Sequence, residues 1–222
     1  MRVGCEQSGI PVTTETTPAE AAGVLADAGQ TAAALASDED DEWKVLWDAR
    51  LAALEKLLGK SEENILTSMM PVYLGGAADV VTFADHVEGF AYVTAGLVGS
   101  DGQKATDLGE YELMICSREA NSWMPSLVSR LSSYTMQTAL KAGDTMNIGP
   151  AMPADSTIAA LLFVPYAEIQ VLERDAGVLL CIGITQAELN HCRVNGPTQM
   201  LEKLKSDGIF PFTDPQRDSV EL

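Results

Sequence analysis

Two carboxylates that flank a tyrosine, Glu110 and Glu112 on either side of Tyr111, are the residues best suited to chemistry in this sequence. Side chains two positions apart on a strand point to the same face of a sheet, so the two carboxylates would lie side by side. Such a pair can supply a general acid and a general base. On a solvated sheet face the same spacing is ordinary, and we favour this interpretation.

The cysteines and histidines form no recognisable catalytic or metal-binding motif. The four cysteines, at positions 5, 116, 181 and 192, include no CxxC pair, and three of them lie in apolar segments. His191 precedes Cys192, but neighbouring helical residues diverge by about 100° and do not easily meet at one ion. The strand context of Cys116 favours an inert thiol over a nucleophile. We expect no metal, no cofactor and no catalytic residue, with reduced thiols in a cytoplasmic protein.

Gly75 and Gly76 form a glycine cluster directly ahead of a predicted strand. The cluster lacks the Lys-Ser/Thr of a P-loop and the three spaced glycines of a dinucleotide-binding turn. A tight turn is therefore a better interpretation than a phosphate site. The GxSxG pattern of a hydrolase nucleophile is also absent from the sequence.

The composition restricts the classes of partner. The 222 residues include 14 Lys and Arg against 32 Asp and Glu, which gives a net charge of −18. This charge repels the phosphates of nucleic acids and attracts basic proteins. With 46% hydrophobic residues the chain has the composition of a globular protein. No apolar run approaches the roughly 18 residues of a membrane span, and the first residues predict no signal peptide.

The chain is predicted to consist of an arm and a domain. Residues 1–42 are rich in Ala and Thr and carry nine acidic residues against Arg2, a charge of −8. Few large apolar side chains are present there to offset the entropy cost of folding, so a flexible acidic arm is expected. Residues 43–222 are predicted to form the folded domain.

The folded region is predicted to open with a helix. Large apolar residues recur every three or four positions from Trp43 until Gly59, and we expect Trp43 and Trp47 to anchor this helix on the sheet. A second helix is predicted from Trp123 to about Leu140, with its serine-rich side in solvent.

Short runs rich in β-branched and aromatic residues predict the strands. A hairpin over residues 168–184 is expected to turn at residues 174–177, and Thr185 with Glu188 matches a helix capping box. Pro197 can open one more helix. The predicted strands are Ile65–Tyr73, Val80–Phe83, Phe90–Leu97, Tyr111–Ser117, Thr145–Ile148, Ile158–Tyr166, Ile169–Glu173 and Val178–Ile184. Strands joined by short turns pair antiparallel, so we predict an α+β fold with a mixed, largely antiparallel sheet flanked by helices.

Several ordered sequence blocks resemble the suppressor of fused domain as it occurs in bacteria. The matching blocks are Gly75–Phe83 (GGAADVVTF), Phe90–Leu97 (FAYVTAGL), Gly109–Cys116 (GEYELMIC), Thr185–Leu189 and Thr213–Arg217. The resemblance covers about residues 43–220 and leaves the acidic arm outside. It implies a non-catalytic domain that binds a protein partner, and in bacteria an immunity-type protein that neutralises a toxin.

Within these blocks we predict that Asp79, Tyr111 and Glu112 contact the partner. Their turn and strand positions would offer carboxylates and a ring to an extended peptide. The competing structural interpretation makes Asp79 a turn cap and Tyr111 a core residue. The net charge independently favours a basic partner, such as a cationic toxin domain.

Two other functions remain open from the sequence. One is an enzyme on the same domain that uses Asp79, Glu110, Glu112 or Cys116. The other is an adaptor whose acidic arm recruits basic segments. The neighbouring genes separate these alternatives, because an immunity protein is expected directly downstream of a large secreted toxin.

Overall fold

A computed structural model describes residues 42–222. Residues 1–41 of the predicted acidic arm lie outside the described residues. The first helix, α1, covers residues 42–58. Its Leu54 and Leu58, one turn apart, are fully buried. The helix ends at Gly59, which has a φ of 91° and donates its N–H to the carbonyl of Glu55 at 3.0 Å.

Six strands form one mixed sheet in the order β1-β2-β3-β6-β5-β4. β3 and β6 are parallel, and all the other neighbouring pairs are antiparallel. This arrangement confirms the predicted α+β fold with a mixed, largely antiparallel sheet. The strands are β1 (Val80–Phe83), β2 (Phe90–Thr94), β3 (Glu110–Ser117), β4 (Thr145–Asn147), β5 (Ile158–Val171) and β6 (Arg174–Thr185).

Helices cover both faces of this sheet. The remaining helices are α2 (Trp123–Thr135), α3 (Gln186–Asn195) and α4 (Pro197–Ser206). Successive strand residues belong to opposite cores, as in Val80 and Val81 of β1. One core contains buried residues of α1, α3 and α4, and the other contains those of α2.

The predicted hairpin is present, but its turn lies elsewhere. β5 and β6 pair from Val171 opposite Arg174, so the two turn residues are Leu172 and Glu173. Leu172 has a φ of 54°, which is unusual for a leucine. The two strands predicted over 158–166 and 169–173 are one strand, β5, with a register shift between Pro165 and Ala167.

Three other local predictions are wrong. The segment 65–73 is not a strand; only Leu66 pairs with β1, through an isolated bridge to Val80. α2 ends at Thr135. Trp43 is 52% exposed rather than buried. Trp47, by contrast, is partly buried and packs against the core as predicted.

Within residues 42–222, no helix has the length and apolar character needed to cross a membrane. The three cysteines in this range are free and buried, as predicted: Cys116, Cys181 and Cys192.

Candidate functional site

All three of the binding residues predicted from the sequence lie at one end of the sheet. The register pairs Val80 with Thr94 and Glu110 with Ala176, which places the starts of β1, β3 and β6 beside the end of β2. Three connections leave from this end: residues 66–79, residues 95–109 and the hairpin turn 172–173. We call this region the loop end.

Asp79 fixes the first of these connections. Its Oδ1 accepts the backbone N–H of Ser68 at 2.7 Å, and its carbonyl accepts the N–H of Ala95 at 2.9 Å. The side chain is half-buried. Asp79 therefore acts as a turn cap, as in the competing interpretation of the sequence. Its role in binding remains a proposal.

Tyr111 is a core residue with no exposed surface. Its hydroxyl oxygen accepts the N–H of Leu140 at 3.0 Å, and burial raises the pKa of the hydroxyl. The side chain of Gln103 bonds both the N–H and the carbonyl of Tyr111, at 3.1 and 2.7 Å. Nothing of the ring is accessible in this structure, and a contact between the ring and a partner remains a prediction.

Glu112 is also fully buried, so its predicted position on a solvated face is wrong. One carboxylate oxygen accepts the N–H groups of Leu97 and Val98, both at 2.9 Å. The other accepts the hydroxyl of Thr94 at 2.5 Å. Burial raises the pKa of Glu112, while nearby Arg50 and these three hydrogen bonds oppose that rise. The carboxylate organises a loop and has no direct access to a partner.

Glu110 and Arg50 complete the support of the same loop. Glu110 accepts the N–H of Gly99 at 2.9 Å and lies 3.6 Å from the guanidinium of Arg174. Buried Arg50 donates from Nε to the carbonyl of Val98 at 2.6 Å. Burial lowers the pKa of the Arg50 guanidinium, and the charge of Glu112 opposes this shift. Together these groups hold residues 97–99 in one conformation.

The Cys116 thiol and the His86 imidazole are also protected or engaged elsewhere. Burial raises the pKa of the Cys116 thiol to about 12, which keeps it in the unreactive neutral form. The ring Nε2 of His86 hydrogen-bonds the hydroxyl of Tyr166 at 2.5 Å. In the part of the chain that the structure describes, no three His, Cys, Asp or Glu residues are grouped as metal ligands.

Two serines of α2 also position the loop end, and the sequence reasoning missed them. Ser129 donates its hydroxyl to the carbonyl of Ala78, and Ser132 accepts the N–H of Ala78, both at 2.7 Å. Both serines are buried, so the prediction that the serine-rich side of this helix faces solvent is wrong for them. Their i,i+3 spacing places both serines on one helix face, and this spacing was the sequence signal for a shared contact.

The surface of the loop end is acidic. Over the loop end and the segments that flank it, residues 61–79, 95–109 and 172–175, the sequence contains seven carboxylates and two basic residues. The basic residues are Lys104 and Arg174; the carboxylates are Glu62, Glu63, Asp79, Asp101, Asp107, Glu173 and Asp175. Such a surface favours the approach of a cationic molecule.

Solved structures of low sequence identity share this fold. A SUFU homologue from Neisseria gonorrhoeae FA 1090 is 20% identical, with a TM-score of 0.60 over 79% of this chain and 96% of that chain. A chain of the Sufu–Fu complex is 16% identical, with a TM-score of 0.61 over 79% of this chain and 91% of that one. Drosophila Suppressor of Fused is 15% identical, with a TM-score of 0.61. The match covers 80% of this chain and 50% of the Drosophila chain.

Sequence comparison identifies the family. No curated protein sequence matches the chain. The family model for the suppressor of fused protein (SUFU) matches residues 77–218, which include every strand of the sheet and confirm the resemblance seen in the sequence blocks. The chain therefore belongs to the suppressor of fused family.

Proposed function

We propose that this protein is a non-catalytic binding domain that holds a basic protein partner inactive, as an immunity-type protein does for a toxin. The family match over residues 77–218 carries the proposal. A similar fold occurs in the Sufu–Fu complex, where a member of this family is bound to another protein. The net charge of −18 favours the toxin-neutralising form of this function, with a cationic toxin domain as the partner.

The state of the reactive groups supports binding rather than turnover. Glu112 is enclosed and saturated with hydrogen bonds, and the Cys116 thiol is held neutral. Glu110 is engaged with Gly99 and Arg174. These groups stabilise the loops of the loop end, which is what a rigid binding surface requires.

The charge supports a basic partner. The net charge of −18 steers cationic proteins towards the molecule, and the loop end with its flanking segments carries seven carboxylates against two basic residues. The three buried free thiols fit a reducing compartment, so we place this function in the cytoplasm.

Co-expression with the product of the adjacent upstream gene tests this function. We expect the two proteins to co-purify, and we expect this protein to restore growth to cells that produce the upstream product alone. The variant Asp101→Lys/Asp107→Lys reverses two exposed charges of the loop end and should weaken both results. The matched control Glu202→Lys/Asp218→Lys reverses two exposed charges elsewhere and should preserve both. Absence of both co-purification and rescue would contradict the immunity function.

A further inference from the structure

An exposed apolar loop, residues 66–76, projects from the loop end beside β1. Met69 is fully exposed, Leu74 is 61% exposed and Tyr73 is 54% exposed. Leu66 and Met70 add further exposed apolar surface. Five large apolar side chains exposed within nine residues are more than the scattered hydrophobic residues of an ordinary protein surface, and such patches mark interaction sites.

The backbone of the apolar loop is fixed on both sides. Leu66 exchanges two hydrogen bonds of 3.0 Å with Val80 of β1, and Ser68 is held by Asp79. At its other end the carbonyl of Met70 accepts the N–H of Ala77 at 3.2 Å. The exposed side chains are therefore presented by an ordered scaffold, which reduces the entropy cost of binding.

The centre of the apolar loop is equally constrained. Val72 is 4% exposed and belongs to the core beneath α2, so it ties the loop to the domain. Gly75 has a φ of 86° and donates its N–H to the carbonyl of Val72 at 3.0 Å. A Cβ on Gly76 would lie 1.8 Å from the carbonyl oxygen of Met70, so only glycine fits there. The backbone of the loop is thus tightly constrained while the side chains of Met69, Tyr73 and Leu74 are exposed.

Carboxylates flank the apolar loop in the chain, and we call them its rim. Glu62 and Glu63 precede the loop and Asp79 follows it, and the sequence contains no Lys or Arg between Lys60 and Lys104. The N–H of Glu62 bonds the carbonyl of Thr82 at 2.8 Å, which places exposed Glu62 along β1, next to the start of the loop. An apolar patch with a carboxylate rim is complementary to an apolar surface with a Lys or Arg rim.

This rim selects among the possible occupants. A second copy of the chain would bring two acidic rims together, and like charges at an interface are unfavourable. An anionic lipid surface would be repelled for the same reason. A cationic amphipathic segment of a protein satisfies both the apolar residues and the carboxylates.

We propose that the apolar loop is the docking surface for a cationic amphipathic segment of the partner protein. Apolar side chains of that segment pack on Met69, Tyr73 and Leu74, and its Lys or Arg side chains face Glu62 and Glu63. The inference rests on the proposed protein-binding function and adds the surface and the chemistry of the partner. Asp79 acts as a positioning residue, because it holds Ser68 and with it the start of the loop.

A defined probe tests the docking surface without knowledge of the partner. The probe is a short amphipathic peptide of Leu and Lys, and its counterpart has Glu in place of Lys. We expect the Lys peptide to bind the full chain and to slow amide hydrogen exchange in residues 66–79, while the Glu peptide does not. Met69→Ser/Tyr73→Ser should weaken binding by about tenfold or more. The control Tyr134→Ser/Val194→Ser alters residues that are 42% and 81% exposed on α2 and α3, and should leave binding unchanged.

The same variants in the growth-rescue assay separate the two proposals. If the Lys peptide protects the apolar loop but wild type gives no rescue, the immunity function fails and the docking surface stands. If Met69→Ser/Tyr73→Ser rescues as well as wild type, the docking surface is wrong while the immunity function stands. Failure of the Lys peptide to bind, protection elsewhere, equal binding of the Glu peptide or of anionic vesicles, or self-association through this loop would each overturn the docking surface.

Discussion

A single buried carboxylate, Glu112, determines the conformation of the loop between β2 and β3. Taking a charged carboxylate out of water is costly unless hydrogen bonds and an opposite charge replace its hydration. Here two backbone N–H groups, the hydroxyl of Thr94 and nearby Arg50 do so. Glu112 is thus part of the architecture, and its effect on binding would act through the loop that it holds.

Removing the Glu112 carboxylate should therefore destabilise the domain strongly. Glu112→Ala leaves the N–H groups of Leu97 and Val98 and the hydroxyl of Thr94 without their acceptor, at about 1–3 kcal/mol for each buried polar group. Glu112→Gln keeps one acceptor oxygen and should lose less than Glu112→Ala. Urea unfolding measures both losses. The exposed control Glu63→Ala should stay within about 0.5 kcal/mol of wild type. Equal losses for the Ala variants at positions 112 and 63 would contradict this role.

At the scale of elements, α2 is attached to the loop end by polar contacts as well as by its apolar face. Met124, Val128 and Leu131 pack in the core beneath the helix. Ser129 and Ser132 bond both backbone groups of Ala78, just before β1 begins. The helix thus sets where the apolar loop returns to the sheet.

The serine contacts predict a clear difference between the two sides of α2. Ser129→Ala and Ser132→Ala each leave a buried backbone group of Ala78 unpaired and should cost about 1–3 kcal/mol in unfolding free energy. Ser126 and Ser133 bond only carbonyls of their own helix, so Ala there should change stability by less than about 0.5 kcal/mol. Chemical denaturation of the four variants makes the comparison. Similar values for all four would show that the contacts of Ser129 and Ser132 with Ala78 are energetically unimportant.

A second element-level attachment holds the C-terminal segment to the start of α3. Thr185 and Glu188 form the predicted capping box, and Arg217 binds both carboxylate oxygens of Glu188, at 2.6 and 2.5 Å. The N–H of Val220 adds a bond of 2.9 Å. Burial alone would raise the pKa of Glu188, but Arg217 and the backbone N–H bonds outweigh it and hold the pKa below its ordinary value.

This lowered pKa predicts how stability depends on pH. The contribution of Glu188 is complete above the pKa of unfolded Glu, about 4.3, and is lost as the pH falls through the lower folded value. Glu188→Gln should cost about 3 kcal/mol near neutral pH, because it leaves Arg217 unpaired. The difference from wild type should shrink as the pH falls below that window. Unfolding as a function of pH measures it, with Glu202→Gln, an exposed residue of α4, as control. A difference that is independent of pH would refute the linkage.

The elements could be predicted from the sequence where the pattern is local. Strand alternation, the helix stripe and the capping box each depend on residues a few positions apart. The turn of the β5–β6 hairpin was misplaced because Gly177 indicated a turn. In the structure Gly177 lies within β6, where glycine is needed for space, because a Cβ there would lie 2.9 Å from the Cβ of Leu108.

The long-range part of the site was not predictable in the same way. The segment 65–73 is rich in the β-branched and aromatic residues of a strand, yet the hydrogen bond from Ser68 to Asp79 holds it in the apolar loop. The spacing of Glu110 and Glu112 predicted a shared solvated face. Whether a carboxylate is exposed depends on the loop that folds over it, and two-residue spacing contains no information about that loop.

At the scale of the whole molecule, the negative charge is divided between the arm and the domain. Residues 1–42 have nine acidic residues against Arg2, a charge of −8, which leaves −10 of the total −18 for the other 180 residues. The arm has the higher charge density and few large apolar residues. We therefore propose that the arm contributes to electrostatic attraction and little to the stability of the fold.

Deleting residues 1–42 should shift the melting temperature by only a few degrees, because little apolar area would be lost. Deleting residues 214–222 is the matched control, since that segment contains Arg217 and buried Val220 and its loss should destabilise the fold strongly. Thermal unfolding of both truncated chains measures the effect. A collapse of folding on removal of residues 1–42 would contradict the proposed division into arm and domain.

The central claim, that this domain captures a basic protein through electrostatic attraction, is tested most directly by the salt dependence of association. The measurement is stopped-flow mixing of the purified chain with the purified product of the adjacent upstream gene. Screening shortens the Debye length from about 10 Å at 0.1 M salt to about 3 Å at 1 M. We predict that the association rate constant falls about tenfold or more between low salt and about 0.5 M, while dissociation changes less. No complex at low salt, or an association rate that does not respond to salt, would contradict the claim.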